Sequence, residues 1–242
     1  MSEVATRILE VAELDLAYEP KPWAFAESRA DEIARHWAER KAALPRMFDG
    51  RILLLGRHEF ATREDGTTIL RGAYFETDFK AFLAWRDFGF PDASVCNCFA
   101  MSALQSSDGA FLLGEMGAHT ANAGMVYFAA GTPDRNDIFG TKVDLFASVR
   151  RELQEETGVS PDEAAFAAGW TIVHAPPRIA CMKTARIDAT AESLKARIDA
   201  FLAADPDPEL QRMHLVRNAQ DIEAIKATSA VADFLRYALP GG

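Results

Sequence analysis

The sequence predicts a mixed α+β fold built on an antiparallel or mixed sheet, and three observations predict it. Two turn clusters, Glu64-Asp65-Gly66 and Ser106-Ser107-Asp108-Gly109, each separate a pair of apolar runs, the mark of a hairpin. Residues Asp144–Thr157 carry the apolar spacing of a helix, with Gly158 following where a left-handed cap is wanted. Helical and strand-like stretches then alternate irregularly, without the steady strand–helix repeat of a parallel sheet.

In chain order, Arg7–Leu16 alternates apolar and polar and reads as one strand, broken by Lys21-Pro22-Trp23. Ala24–Leu44 reads as one amphipathic helix, with Ile33, Ala34, Trp37 and Ala38 at three- and four-residue spacing, ended by Pro45. Arg51–Arg63 and Thr67–Glu76 form the first hairpin. A short helix around Phe79, Phe82 and Leu83 follows, with Asp78 as its cap. Val95–Leu104 and Ala110–Glu115 form the second hairpin, and Met125–Ala130 is a short buried strand closed by Gly131-Thr132-Pro133. Thr132–Lys142, with its Pro, Gly, Asp and Asn, reads as a loop. Beyond the Asp144–Thr157 helix come strands at Ala165–His174 and Ile179–Ile187, a helix at Ala191–Ala203, a strand at Met213–Val216, and helices at Ala219–Lys226 and Ala230–Leu239.

Composition narrows the class. Of 242 residues, 49% are apolar, so the chain can bury enough surface to fold, and disorder is excluded. No apolar stretch approaches the roughly 20 residues that span a bilayer, so no membrane partner is expected. Met1–Glu10 has no signal-peptide core, and the expected location is the cytoplasm. Length allows one large domain or two small ones, and the reading divides the chain into an N-terminal extension, 1–92, and a second domain, 93–242. The formal charge is −10, and both parts are acidic, so no basic footprint for nucleic acid stands out. A phosphorylated ligand remains open if a divalent cation mediates. Three cysteines, Cys96, Cys98 and Cys181, are too few and too poorly spaced for a disulfide framework or a zinc site.

The chemistry concentrates in one helix. At about 100° per residue, Glu156 lies about 40° to one side of Glu152 and Glu155 about 60° to the other, so three carboxylates share a face. Phe146, Val149 and Leu153 form an adjacent apolar stripe. Like charges at this spacing repel, and a bound hard cation such as Mg²⁺ relieves the conflict. From periodicity and charge alone, a solvated glutamate face remains the alternative.

As a string, Arg151-Glu152-Leu153-Gln154-Glu155-Glu156-Thr157-Gly158-Val159 resembles the second half of the Nudix box, R-E-U-x-E-E-x-G-U with U aliphatic, at every fixed position. The resemblance implies the Nudix fold: an α/β/α sandwich with a mixed sheet, here preceded by an N-terminal α+β extension. It implies Mg²⁺- or Mn²⁺-dependent hydrolysis of a nucleoside diphosphate derivative. Glu152, Glu155 and Glu156 would be catalytic metal ligands, Arg151 would tie down the box, and Gly158 would supply its cap. The first half of the box departs from the pattern. The expected Glu and Gly positions hold Val143 and Asp137, while Asp144 sits one residue from the expected acid and Gly131-Thr132-Pro133 resembles a displaced Gly turn before a longer loop. Gly131 and Thr132 are therefore candidate substrate-binding residues. Family members also pair through N-terminal elements, so the resemblance allows a homodimer.

Three pieces of the first third, Trp37–Arg40, Pro45–Gly50 and Thr77–Leu83, resemble in order the region before the Nudix domain of UDP-glucose and UDP-galactose hydrolysing enzymes. That order favours a nucleotide sugar. Each piece is also explicable as a helix packed on a hairpin. Glu209, just before the late strand, is a further candidate metal ligand. Arg178 is a candidate phosphate contact, because guanidinium suits bidentate phosphate binding. The five histidines are scattered without metal spacing, and no P-loop, dinucleotide or serine-nucleophile motif occurs. The altered half-box leaves a second reading, a catalytically weak Nudix domain that binds a nucleotide as a sensor. An unrelated α+β domain with a chance match is the third.

Overall fold

The computed structural model describes residues 6–120 and 122–239; the first half of the Met1–Glu10 stretch and Pro240-Gly241-Gly242 lie outside the described residues. The alternating run near the N-terminus forms two strands, not one. β1 (Arg7–Val11) and β2 (Glu13–Tyr18) part at Ala12, whose N–H goes to Thr68 O at 2.8 Å, and they enter different sheets. Val11 and Leu16 are an odd number of residues apart and would face opposite sides of one straight strand. The break brings both into one core.

The expected helix at Ala24–Leu44 likewise divides, into α1 (Ala24–Ser28) and α2 (Ala30–Ala43), with Arg29 at non-helical φ −116°, ψ 23°. The Arg29 guanidinium lies over the rings of Phe25 and Phe88, and packing there overrides the helical period. The first hairpin is β3 (Arg51–Thr62) and β4 (Thr68–Asp78), leading into α3 (Phe79–Asp87). Asp78 occupies the cap position of α3 without capping it: its carboxylate takes Arg51, and Asp49 Oδ1 accepts the Lys80 N–H at 2.9 Å instead.

The rest follows the expected order with some changes. β5 (Asn97–Gln105) and β6 (Phe111–Met116) match the apolar runs to within two residues, whereas β7 (Val126–Tyr127) covers only two of the residues expected at Met125–Ala130. The stretch read as a loop holds β8 (Ile138–Phe139) and β9 (Lys142–Val143), joined through Gly140 at φ 63°. Two-residue strands carry no period of their own; β9 exists because Lys142 pairs with Ala17 of β2. After α4 (Leu145–Thr157), the expected strand at Ala165–His174 is split into β10 (Ala165–Phe166) and β11 (Trp170–Ala175). The carbonyls of Ala168 and Gly169 turn away from the ladder to the ammonium of buried Lys183, at 3.2 and 3.1 Å. β12 (Arg178–Arg186), α5 (Ala191–Ala204), β13 (Leu210–Val216), α6 (Ala219–Glu223) and α7 (Ser229–Ala238) complete the chain; β13 begins three residues earlier and α6 ends three residues earlier than expected.

These strands make two mixed sheets. The first runs β1-β11-β12-β5-β6-β13, with β10 beside β12 and β7 beside β6, and its one parallel pair among the described strands is β12 with β5. The second runs β3-β4-β2-β9-β8, with β2 and β4 parallel. Side chains alternate across the first sheet: Met101, Ala103 and Met182 join the core under α5 and α7, while Cys98, Ala100 and Cys181 join the core shared with the second sheet. α4 contributes to both, through Leu153 and through Leu145 and Val149. A third core lies beneath α1 to α3 and includes Trp23, Phe75 and Trp85. The residues on either side of position 92 exchange strands: β1 enters the first sheet and β8 and β9 enter the second. Leu55 and Cys96 bridge the sheets by paired backbone bonds of 3.0 and 2.8 Å. No helix among the described residues is long and apolar enough to cross a membrane.

Candidate active site

α4 is held at both ends. Asp144 Oδ1 accepts the N–H groups of Phe146 and Ala147 at 2.9 and 3.0 Å, and Gly158 closes the helix in the left-handed region at φ 67°. With Val149 and Leu153 buried, the helix cannot rotate, so the glutamate face points to one fixed place. That place is a cavity of about 130 Å³. Glu152, Glu155 and Glu156 line it from α4, and Asp205, Asp207 and Glu209 line it from the loop between α5 and β13. The loop is fixed by Gly117 N–H, which donates to Glu209 O at 2.8 Å. Six carboxylates therefore surround one small space.

Their electrostatics are those of crowded, desolvated acids. Glu156 is 7% exposed; its Oε1 accepts the Ala130 N–H at 3.3 Å, and its Oε2 has no partner among the described residues. Burial, then Glu152 and Glu209, hold its carboxyl well above the usual carboxylate range. Glu152 is pushed up to about 7, by burial first and with help from Glu155 and Glu209, against the opposing pull of Arg151. Gly131 explains why no larger residue stands beside it, since a Cβ there would collide with Glu152 Oε1.

Arg151 does tie the site together, and its partner is Asp137. Asp137 is fully buried; its Oδ1 accepts from Arg151 Nη1 at 2.7 Å and its Oδ2 from the Asp134 N–H at 3.0 Å. The second Arg151 nitrogen donates to Glu152 Oε1 at 3.0 Å. Asp144, the acid nearest the expected box position, serves as the helix cap. Sequence reasoning gave Asp137 no role; its only signal was an acid in a turn-rich loop upstream of an arginine that needed a partner. Tyr127 on β7 was also passed over. It is 9% exposed, and burial and the fields of Glu156 and Glu209 raise its hydroxyl above the ordinary value.

Of the residues singled out in the sequence, the fold brings Glu152, Glu155, Glu156, Glu209 and Gly131 together. Thr132 and Arg178 do not line the cavity. Arg178 heads β12, its guanidinium stacked 4.8 Å from the centre of the Phe90 ring, and burial and the neighbouring Arg86 lower it. Among the described residues, no three His, Cys, Asp or Glu side chains are grouped so that they could hold a metal ion as they stand. The donor set nevertheless fits a hard divalent cation. It consists of carboxylate oxygens alone, and the unpartnered Glu156 Oε2 lacks the positive charge that would justify burying it.

No protein-family model and no curated protein matches the chain. Solved structures do show likeness. DR0079 from Deinococcus radiodurans is 14% identical over 78% of this chain and 99% of that one, with a TM-score of 0.44. A Nudix hydrolase from M. smegmatis, RenU, is 11% identical over 58% and 80%, at 0.38. A C. elegans Ap4A hydrolase in a binary complex is 15% identical over 57% and 93%, at 0.40. At such scores and identities the functional reading rests on the side chains described above.

Proposed function

We propose that this protein is a divalent-cation-dependent Nudix pyrophosphohydrolase that cleaves the diphosphate of a nucleoside diphosphate derivative, a nucleotide sugar in the first instance. The observation that carries the reading is the buried, unpartnered Glu156 carboxylate inside a six-acid cavity, on a helix whose sequence is the second half of the Nudix box. Glu152, Glu155, Glu156 and Glu209 would hold Mg²⁺ or Mn²⁺. When bound, such a cation neutralises phosphate charge and makes water a better nucleophile at neutral pH. The chain's own residues do the rest. Glu152, whose burial beside other acids raises its carboxyl in the cation-free chain, would give up that proton when the cation binds, so cation binding is expected to strengthen as pH rises. Arg151, fixed by Asp137, holds Glu152 in position, and Gly131 leaves room for that carboxylate against the backbone.

The nucleotide-sugar preference rests on the order of the three N-terminal pieces; their contacts in the fold, Trp37 edge-on to Phe79 at 6.3 Å and Asp49 accepting the Lys80 N–H, are those of a helix packed on a hairpin. The test is incubation with UDP-sugars, ADP-ribose, dinucleoside polyphosphates and nucleoside triphosphates in Mg²⁺, scoring phosphate-containing products. Release of a nucleoside monophosphate and a sugar phosphate from a nucleotide sugar supports the reading. Tight binding of a nucleotide without product would replace it with a nucleotide sensor.

A further inference from the structure

A cavity lined by six acids beside Phe201, Leu202 and Pro208 is a poor receptor for a polyanion unless cations also stand at its rim, and one of those acids already takes an arginine from elsewhere in the chain. Asp207 lines the cavity with half of its side chain exposed. Arg46 Nη2 donates to Asp207 Oδ2 from 161 residues away, and His119 Nε2 lies 3.9 Å from Oδ1. Arg46 belongs to the segment between α2 and β3, which is itself well anchored. Met47 is buried, its N–H donates to Leu44 O at 3.1 Å, and its carbonyl accepts the Lys41 ammonium. Further on, Leu53 N–H donates to Pro133 O at 2.7 Å, which fastens β3 to the loop that begins at Gly131, packed against Glu152. On either side of buried Met47 project Arg46 and Phe48, and Phe48 is 81% exposed.

We propose that this segment is the substrate-recognition element of the site: Arg46 exchanges Asp207 for a phosphate oxygen of the bound nucleoside diphosphate derivative, and Phe48 offers its ring to the base. The proposal rests on the hydrolase reading above. The resting ion pair is exposed at both ends and is therefore weak, while a diphosphate offers a planar guanidinium two oxygens and more charge. An exposed ring on an anchored segment loses little freedom on stacking, and bases stack on aromatic side chains whatever their identity.

The experiment measures kcat and KM in Mg²⁺ for the wild type, Arg46→Ala, Asp207→Asn and Phe48→Ala on the substrate the wild type turns over, with melting curves to confirm folding. Loss of a phosphate contact is expected to raise KM about tenfold in Arg46→Ala while kcat stays within about twofold. Asp207→Asn frees the guanidinium and is expected to lower KM, and Phe48→Ala to raise it. An unchanged KM in Arg46→Ala overturns the proposal. So does a KM that rises equally in Arg46→Ala and Asp207→Asn, because Arg46 would then only tether the loop. An unchanged KM in Phe48→Ala removes the stacking role. A wild type that hydrolyses nothing defeats the hydrolase reading itself, an outcome distinct from all of these.

Discussion

Glu156 keeps one oxygen on the Ala130 N–H and the other on nothing among the described residues, in a place almost closed to water. A buried acid without a compensating charge destabilises the chain that carries it. Glu156→Gln is therefore expected to raise the melting temperature of the cation-free protein while abolishing turnover, a pairing that a structural glutamate would not show. Glu152 adds a pH signature. Its carboxyl is raised from the ordinary 4.5 to about 7, so the folded state binds its proton more tightly than the unfolded state does. Its contribution to stability is complete below about 4.5 and lost as pH rises through about 7. Without divalent cations, the wild type should lose melting temperature from pH 5 to pH 8 more steeply than Glu152→Gln; parallel profiles would contradict this. The Arg151–Asp137 pair gives a third case. Removing the arginine strands a fully buried carboxylate, and because Arg151 is itself partly exposed, Arg151→Met should cost about 2–3 kcal/mol in denaturant unfolding, part of it recovered by adding Asp137→Asn. None of these three environments could be read in advance. The glutamates were legible as a face, but Asp137 lies 14 residues before Arg151 in a rebuilt loop, and only folding shows which acid the arginine meets.

Elements were legible where local signals agreed. α4 had an apolar stripe and a glycine at its end, and both operate as expected, while Asp144, read as its first residue and the acid nearest the box position, caps it instead. Asp144→Ala should lower stability by about 1 kcal/mol through the lost cap. Gly158→Ala should cost about 1–2 kcal/mol for a side chain in the left-handed region, with Phe201 forced aside because a Cβ would approach its ring to 2.5 Å. Both are read from unfolding midpoints. Elements were illegible where a distant partner decides. β1 and β2 carry one continuous alternation, yet β11 claims the first and β4 the second. β8 and β9 are too short to have a pattern and depend on β2 for their existence. At the start of α3, Asp78 looked like the cap, but Arg51 claimed its carboxylate and left the cap to Asp49.

At the scale of the whole molecule, the two sheets are joined by exchanged strands, by the Leu55–Cys96 bridge and by a shared core. Residues on both sides of position 92 therefore approach the cavity: α4 and the loop after α5 supply its acids, and Arg46 reaches Asp207 at its edge. The acid face was visible in the string Arg151–Val159. The meeting of Arg46 with Asp207 was not, because 161 residues separate them and the Pro45–Gly50 piece that holds Arg46 carries no sign of the acid it meets. The central claim is that this cavity performs cation-dependent cleavage of a phosphoric anhydride. Its most direct test is the turnover number of Glu156→Gln against wild type at saturating Mg²⁺, on the nucleoside diphosphate derivative the wild type cleaves fastest. The account predicts a fall of at least about 10²-fold with the fold intact. Turnover within twofold of wild type would contradict it.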